Sequence, residues 1–316
     1  MNPGPSNATP LNTAPSNPAR VDVVEFTDPL CSVAWGAEPI FRLFRWRYGH
    51  VCNWRTVMGG LAGDLSTGVP DWTRESAAVP MEKYWRRVTK VTDQPYPKPM
   101  HLMLRSTDPA GRAVKAAALQ GTDVERRTLR RIRESIFLFG RGPETSDEFL
   151  DVFAAVPGFD PRRWTDDFSS AGVADAYRAD WEEARTPNDY VRAYQSDDPM
   201  AGVMRHSEGH DRYDFPTVLF RGPTGEHTVP GWLPFEAYVE ALESTSPGST
   251  ASPRTDPSVT EAFDAFGVLT QKELDVLCGV DAQLPTNVIR YDWGDGEAFF
   301  TPSEASAWRL TDSMRR

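Results

Sequence analysis

The chain has three thiols, Cys31, Cys52 and Cys278, and one of them stands where a thiol could do chemistry. Cys31 lies in TDPLCSVAW, between the β-branched run VDVVEF and a helical pattern from about Ser32 to Tyr48. A thiol at the first turn of a helix faces unpaired backbone N–H groups and the positive end of the helix dipole. Both favour the thiolate, the nucleophilic form. Position alone leaves two readings open: a reactive thiol, or a small apolar residue buried like most lone cysteines.

Other constellations offer less. His206 and His210 share the spacing of one helical face, but HSEGHDRYD contains a glycine and precedes a strand, and no third ligand is near, so no metal is expected. GRGPE at 140–144 lacks the spacing and the lysine of a phosphate loop, and no serine-hydrolase elbow occurs. His101 and Ser106 lie in a helical region that would cover Cys31, as candidate acid–base helpers. The arginine run Arg126 to Arg133 is interleaved with apolar residues and reads as a solvated helix face.

The elements that must position Cys31 are legible on either side of it. VDVVEF reads as a buried strand, the next segment as a helix, and Val51 to Val57 as a second strand. From about Asp71 to Arg185 helical periodicity dominates; Leu129, Ile132, Ile136 and Phe137 share one face, and Thr145 with Glu148 makes a capping box. Strand patterns return in DFPTVLFRGPTGEHTVPGW, followed by the helical LPFEAYVEALES. STSPGSTASPRTDP reads as a flexible linker. Beyond it, Ser258 with Glu261 and Thr270 with Glu273 cap two helices, Gly294-Asp295-Gly296 signals a hairpin, and Thr301, Pro302 and Glu304 open a last helix.

DPLCSVAWGAEP followed by VMGGL resembles the DsbA-like branch of the thioredoxin superfamily, within it the FrnE-like proteins and the protease-adaptor SpxH proteins. Asp28, Pro29, Cys31, Trp35, Glu38, Pro39, Met58, Gly59, Gly60 and Leu61 carry the likeness, and Ala34 stands where the family has the second cysteine of Cys-x-x-Cys. A Cys-x-x-Ala turn cannot close an internal disulfide. The resemblance implies an α/β, thioredoxin-like fold with a helical insertion, and it implies that Pro216 is the cis-proline beside the active cysteine. Cys31 and Pro216 are then the catalytic candidates. Asp28, Pro29, Ser32, Trp35, Met58, Gly59, Phe215 and Thr217 are the substrate-binding ones, with Trp35 bordering the cleft.

The expected organisation is a disordered tail over 1–19, a thioredoxin-like core over 20–70 and 201–243, and a helical insertion over 71–200. A linker over 244–257 and a small α+β, winged-helix-like module over 258–316 complete it. The apolar share is 40%, with 10 Trp and 16 Phe, enough for a substantial core. No apolar run approaches a membrane span and nothing resembles a secretory signal, so the cytoplasm is expected. A formal charge of −11 argues against nucleic acid or an anionic membrane as the main partner. Three functions fit: a monothiol disulfide oxidoreductase or isomerase tied to secondary metabolism or redox homeostasis, a non-catalytic adaptor holding a protein, and a thiol-dependent isomerase or transferase resembling the kappa-class glutathione transferases. The first two act on a protein or a small-molecule thiol or disulfide. No tightly bound cofactor is expected, at most a low-molecular-weight thiol.

Overall fold

β1 (Val21–Thr27) carries Val21, Val23, Val24 and Phe26 because it lies inside a sheet covered on both faces. The computed structural model describes residues 20–310 except 68, 97–100 and 293–295. The expected tail, and most of the Gly294-Asp295-Gly296 turn, therefore lie outside the described residues. α1 (Ser32–Tyr48) crosses from β1 to its parallel neighbour β2 (Cys52–Met58).

Seven helices follow: α2 (Arg74–Thr92), α3 (Asp108–Ala118), α4 (Thr122–Phe137), α5 (Ser146–Phe153), α6 (Pro161–Phe168), α7 (Ala171–Ala184) and α8 (Asp189–Ala193). A short hairpin of β3 (Arg205–Ser207) and β4 (His210–Arg212) leads back to β5 (Thr217–Gly222), β6 (Gly225–Pro230) and α9 (Phe235–Thr245). The main sheet has the order β2-β1-β5-β6, with β5 antiparallel to both of its neighbours. Phe26 pairs with Thr217 across the β1/β5 ladder. That register sets the Phe215-Pro216 segment beside the turn that carries Cys31.

The C-terminal part contains α10 (Val259–Phe266), β7 (Val268–Thr270), α11 (Gln271–Cys278), the β8 (Ile289–Asp292)–β9 (Glu297–Phe300) pair and α12 (Pro302–Ala307). Its antiparallel sheet has the order β7-β9-β8. Together these make a mixed α/β thioredoxin-like fold with a helical insertion and a small C-terminal module. Leu43 of α1 shares a buried cluster with Phe263, Leu269, Leu274, Leu277 and Phe299, so the module packs directly on the helix that starts at Cys31.

Two features differ from the sequence expectations. The stretch 244–257 is pinned across the C-terminal end of α1: Trp46 Nε1 donates to the Thr255 carbonyl at 2.8 Å, and Arg47 holds both oxygens of Asp256 at 2.6 and 2.7 Å. The arginine run is not a solvated face either, since Arg130, Arg131 and Arg133 are buried. Glu38 from α1, Glu273 from α11 and Glu304 from α12 reach them, carboxylates that no local pattern places there.

Candidate active site

Cys31 is the N-cap of α1, with extended backbone at φ −70° and ψ 109°, and its sulfur accepts the Ala34 N–H at 3.4 Å. Asp28 shapes the turn before it. One oxygen of that carboxylate accepts the Leu30 N–H and the other the Leu61 N–H, both at 2.8 Å. The Asp-Pro turn and the Gly-Gly-Leu loop are thus tied together by one buried side chain. Burial pushes the Asp28 carboxyl up to about 6, against the lowering effect of those two N–H groups.

Phe215–Pro216 is a cis peptide bond and borders the sulfur directly. The Cys31 S–H donates to the Phe215 carbonyl at 3.1 Å. The remaining backbone groups of this edge are also bonded internally. The Phe215 N–H donates to Asp214 Oδ1 at 3.0 Å, and the Pro216 carbonyl accepts the Gly231 N–H at 2.8 Å. The Phe215 ring lies against Gly59, where an added Cβ would land inside the ring. This close approach explains the first glycine of the Gly-Gly-Leu loop.

The structure brings Asp28, Pro29, Cys31, Ser32, Met58, Gly59, Phe215, Pro216 and Thr217 together, and all of them are buried. Cys31 itself is 5% exposed. Trp35 is a correction: it is fully buried and does not border an open cleft. Its Nε1 donates to the Pro95 carbonyl at 2.9 Å, its ring stacks on Phe137, and the Arg130 guanidinium sits 4.3 Å from its centroid. His101 lines a different cavity, beside Trp308 and Arg141, and the Ser106 hydroxyl accepts the Asp108 N–H at the start of α3. His206 and His210 lie on the β3–β4 hairpin rather than on a helix, with His206 Nδ1 3.0 Å from Asp211 Oδ1.

The thiolate expectation is also corrected. Burial dominates and pushes the Cys31 thiol up to about 12. The Ala34 N–H pulls it down, while the charges of Asp214 and Asp28 push it further up. The helix terminus is present, but a sulfur withdrawn from water beside two carboxylates does not ionise readily. Cys52, at the start of β2, is pushed up to about 12 by burial as well. It lies at the far end of the β1/β2 ladder from the Thr27–Met58 pair, away from the turn.

Sequence reasoning missed five contributors. Asp214, adjacent to Phe215-Pro216, is the one with a local signal. Tyr96 donates to the Ser32 carbonyl at 2.8 Å, Asp180 accepts the Met58 N–H at 2.9 Å, and Arg185 donates to the Gly59 carbonyl at 2.8 Å. These three come from the helical insertion. Glu208, at the tip of the β3–β4 hairpin, accepts the Gly63 N–H at 3.0 Å and closes the loop from outside.

A family model described as Thioredoxin matches residues 25–187, 163 of the 316 residues. The chain belongs to the thioredoxin family. Within this family it is similar to the ClpXP adapter protein SpxH of Shouchella clausii, 24% identical over 83% of this chain and 79% of that one. The ClpXP adapter protein SpxH of Halalkalibacterium halodurans is 28% identical over 52% of this chain and 54% of its own length. Among solved structures, a Nitrosomonas europaea protein described as a protein disulfide isomerase superposes with a TM-score of 0.54 at 18% identity, covering 71% of this chain and 97% of that one. The cytosolic disulfide reductase DsbM of Pseudomonas aeruginosa does so with a TM-score of 0.51 at 17% identity, over 70% and 98%. At these identities the superpositions establish the thioredoxin-like fold. Among the described residues no helix is long and apolar enough to cross a membrane.

Proposed function

We propose that this protein is a non-catalytic adaptor, which keeps the thioredoxin site as a closed structural element and holds a protein partner on another surface. One observation carries the reading: the Cys31 S–H is spent on the Phe215 carbonyl within a wholly buried site. A disulfide substrate would need that sulfur exposed and ionised, and an extended ligand would need the Phe215 and Pro216 backbone groups unpaired. Ala34 supplies no second thiol to release a mixed disulfide. The SpxH relatives are named ClpXP adapters, which supports a role in bringing a protein to a protease.

The monothiol oxidoreductase reading keeps one observation in its favour, the Ala34 N–H on the sulfur at 3.4 Å, the contact that would stabilise a thiolate if the site opened. Two measurements separate the readings. Insulin-disulfide reduction with dithiothreitol is expected to run at the same rate with wild type, with Cys31→Ser and without protein. Binding to purified ClpXP is expected to be the same for wild type and Cys31→Ser. Wild-type turnover above the Cys31→Ser rate would overturn the adaptor reading in favour of the monothiol one. Absence of ClpXP binding would remove the protease role.

A further inference from the structure

A cavity of about 280 Å³ opens between α1, α4, the segment after α5 and α10, and neither Cys31 nor Phe215 lines it. Eight arginines line it, in a chain whose net charge is −11. Five of them are matched. Arg42 and Arg130 share Glu273, Arg45 meets Glu25, Arg131 meets Glu304, Arg133 meets Glu38, and Arg130 also holds Glu134. Five arginines therefore face five glutamates, and this part of the wall is close to neutral. Arg126, at the edge, pairs with Asp123.

Arg127 and Arg254 remain. Neither makes an ion pair or a side-chain hydrogen bond among the described residues, and both line the cavity. A second, independent observation lies deeper in the wall: the buried Nε–H groups of Arg45 and Arg133 have no hydrogen-bond partner among the described residues. Buried donors of this kind are costly unless something accepts from them. Trp46, Val156, Pro157 and Phe266 supply an apolar portion of the same wall.

We propose that this cavity is a binding site for a small organic phosphate monoester. The two guanidinium groups without a partner among the described residues offset the charge of a phosphate monoester near neutral pH, about −1.5 to −2. Arginine presents paired donors that fit phosphate oxygens. The volume approaches the lower end of small-molecule sites, about 300 Å³. The aromatic and aliphatic wall would take the organic part. The site is separate from the Cys31 turn and does not depend on the adaptor reading.

Phenyl phosphate is the probe, titrated calorimetrically into the full chain, with phenol as the uncharged control. Phenyl phosphate is expected to bind saturably and phenol not. Arg127→Gln and Arg254→Gln are each expected to weaken binding about tenfold, the loss of one charge-assisted contact, while Cys31→Ser leaves it unchanged. Neither arginine belongs to the buried ion network, so both variants should melt with the ligand-free wild type. A measurement on the unmutated protein is independent of their folding: phenyl phosphate should protect Arg127 and Arg254, but not exposed Arg162, from phenylglyoxal. The proposal is overturned if phenyl phosphate shows no saturable binding, if phenol binds as tightly, or if protection and affinity ignore Arg127 and Arg254.

Discussion

Alkylation of Cys31 as a function of pH tests the central physical claim about the site. The thiol is pushed from its ordinary value of 9.0 up to about 12, chiefly by burial. A rise of about three units corresponds to roughly 4 kcal/mol in favour of the protonated form. At pH 7 the thiolate would be about one part in 10⁵, against about one in 100 for a group titrating near 9. Alkylation of the native protein should then run about 1,000-fold slower than that of a small free thiol, before any further slowing from occlusion. The sign of the linkage follows from the same shift. The folded state holds the proton more tightly, so the stabilisation is complete below about pH 9 and is lost as pH rises toward 12. Iodoacetamide trapping between about pH 6 and 10, read on the Cys31 peptide by mass spectrometry, measures it, with Cys31→Ser confirming the peptide. A titration midpoint at or below about 8.5, with a rate near that of a free thiol, would refute the argument. The helix terminus would then outweigh burial.

Three further outcomes are expected. Gly59→Ala drives a Cβ into the Phe215 ring; urea unfolding should register a loss of about 1–3 kcal/mol, and Cys31 should alkylate faster as the Phe215 carbonyl moves. Unchanged stability and reactivity together would mean that the Gly59–Phe215 contact does not hold the site shut. Glu273→Ala leaves Arg42 and Arg130 without their shared, fully buried partner and should cost about 3–5 kcal/mol; a loss below about 1 kcal/mol would show that the ion network does not weld the C-terminal module to α1. Burial opposes ionisation of Glu38, but Arg133, Arg130 and Arg42 outweigh it and hold its carboxyl down at about 2. Its stabilisation is therefore present above about pH 4.5 and lost as pH falls toward 2, and the acid unfolding curve of Glu38→Gln should be shallower than that of wild type across this window.

What the sequence determined by itself is what short-range physics controls. β1, the turn, α1 and β2 follow from hydrophobic periodicity and from a residue able to cap the helix. The boxes Thr145–Glu148, Ser258–Glu261 and Thr270–Glu273 open helices as expected, because the cap and its partner are only three residues apart. The cis Phe215–Pro216 bond lies where the family resemblance put it. Tertiary structure decided whether these parts make an open site. Cys31 sits at a helix terminus, yet its ionisation is set chiefly by burial, with the Asp214 charge adding to it, and Phe215, which takes its S–H, and Asp214 both lie more than 180 positions along the chain. Trp35 lies one turn into α1 as the sequence places it, but its surroundings are buried, because Pro95, Arg130 and Phe137 converge on it only after the insertion folds back. Glu273 is legible as a cap, but its second role, neutralising Arg42 and Arg130, exists only where α11 packs on α1. Burial, and the charges that compensate it, depend on distant segments, and no local pattern records which carboxylate will meet which arginine.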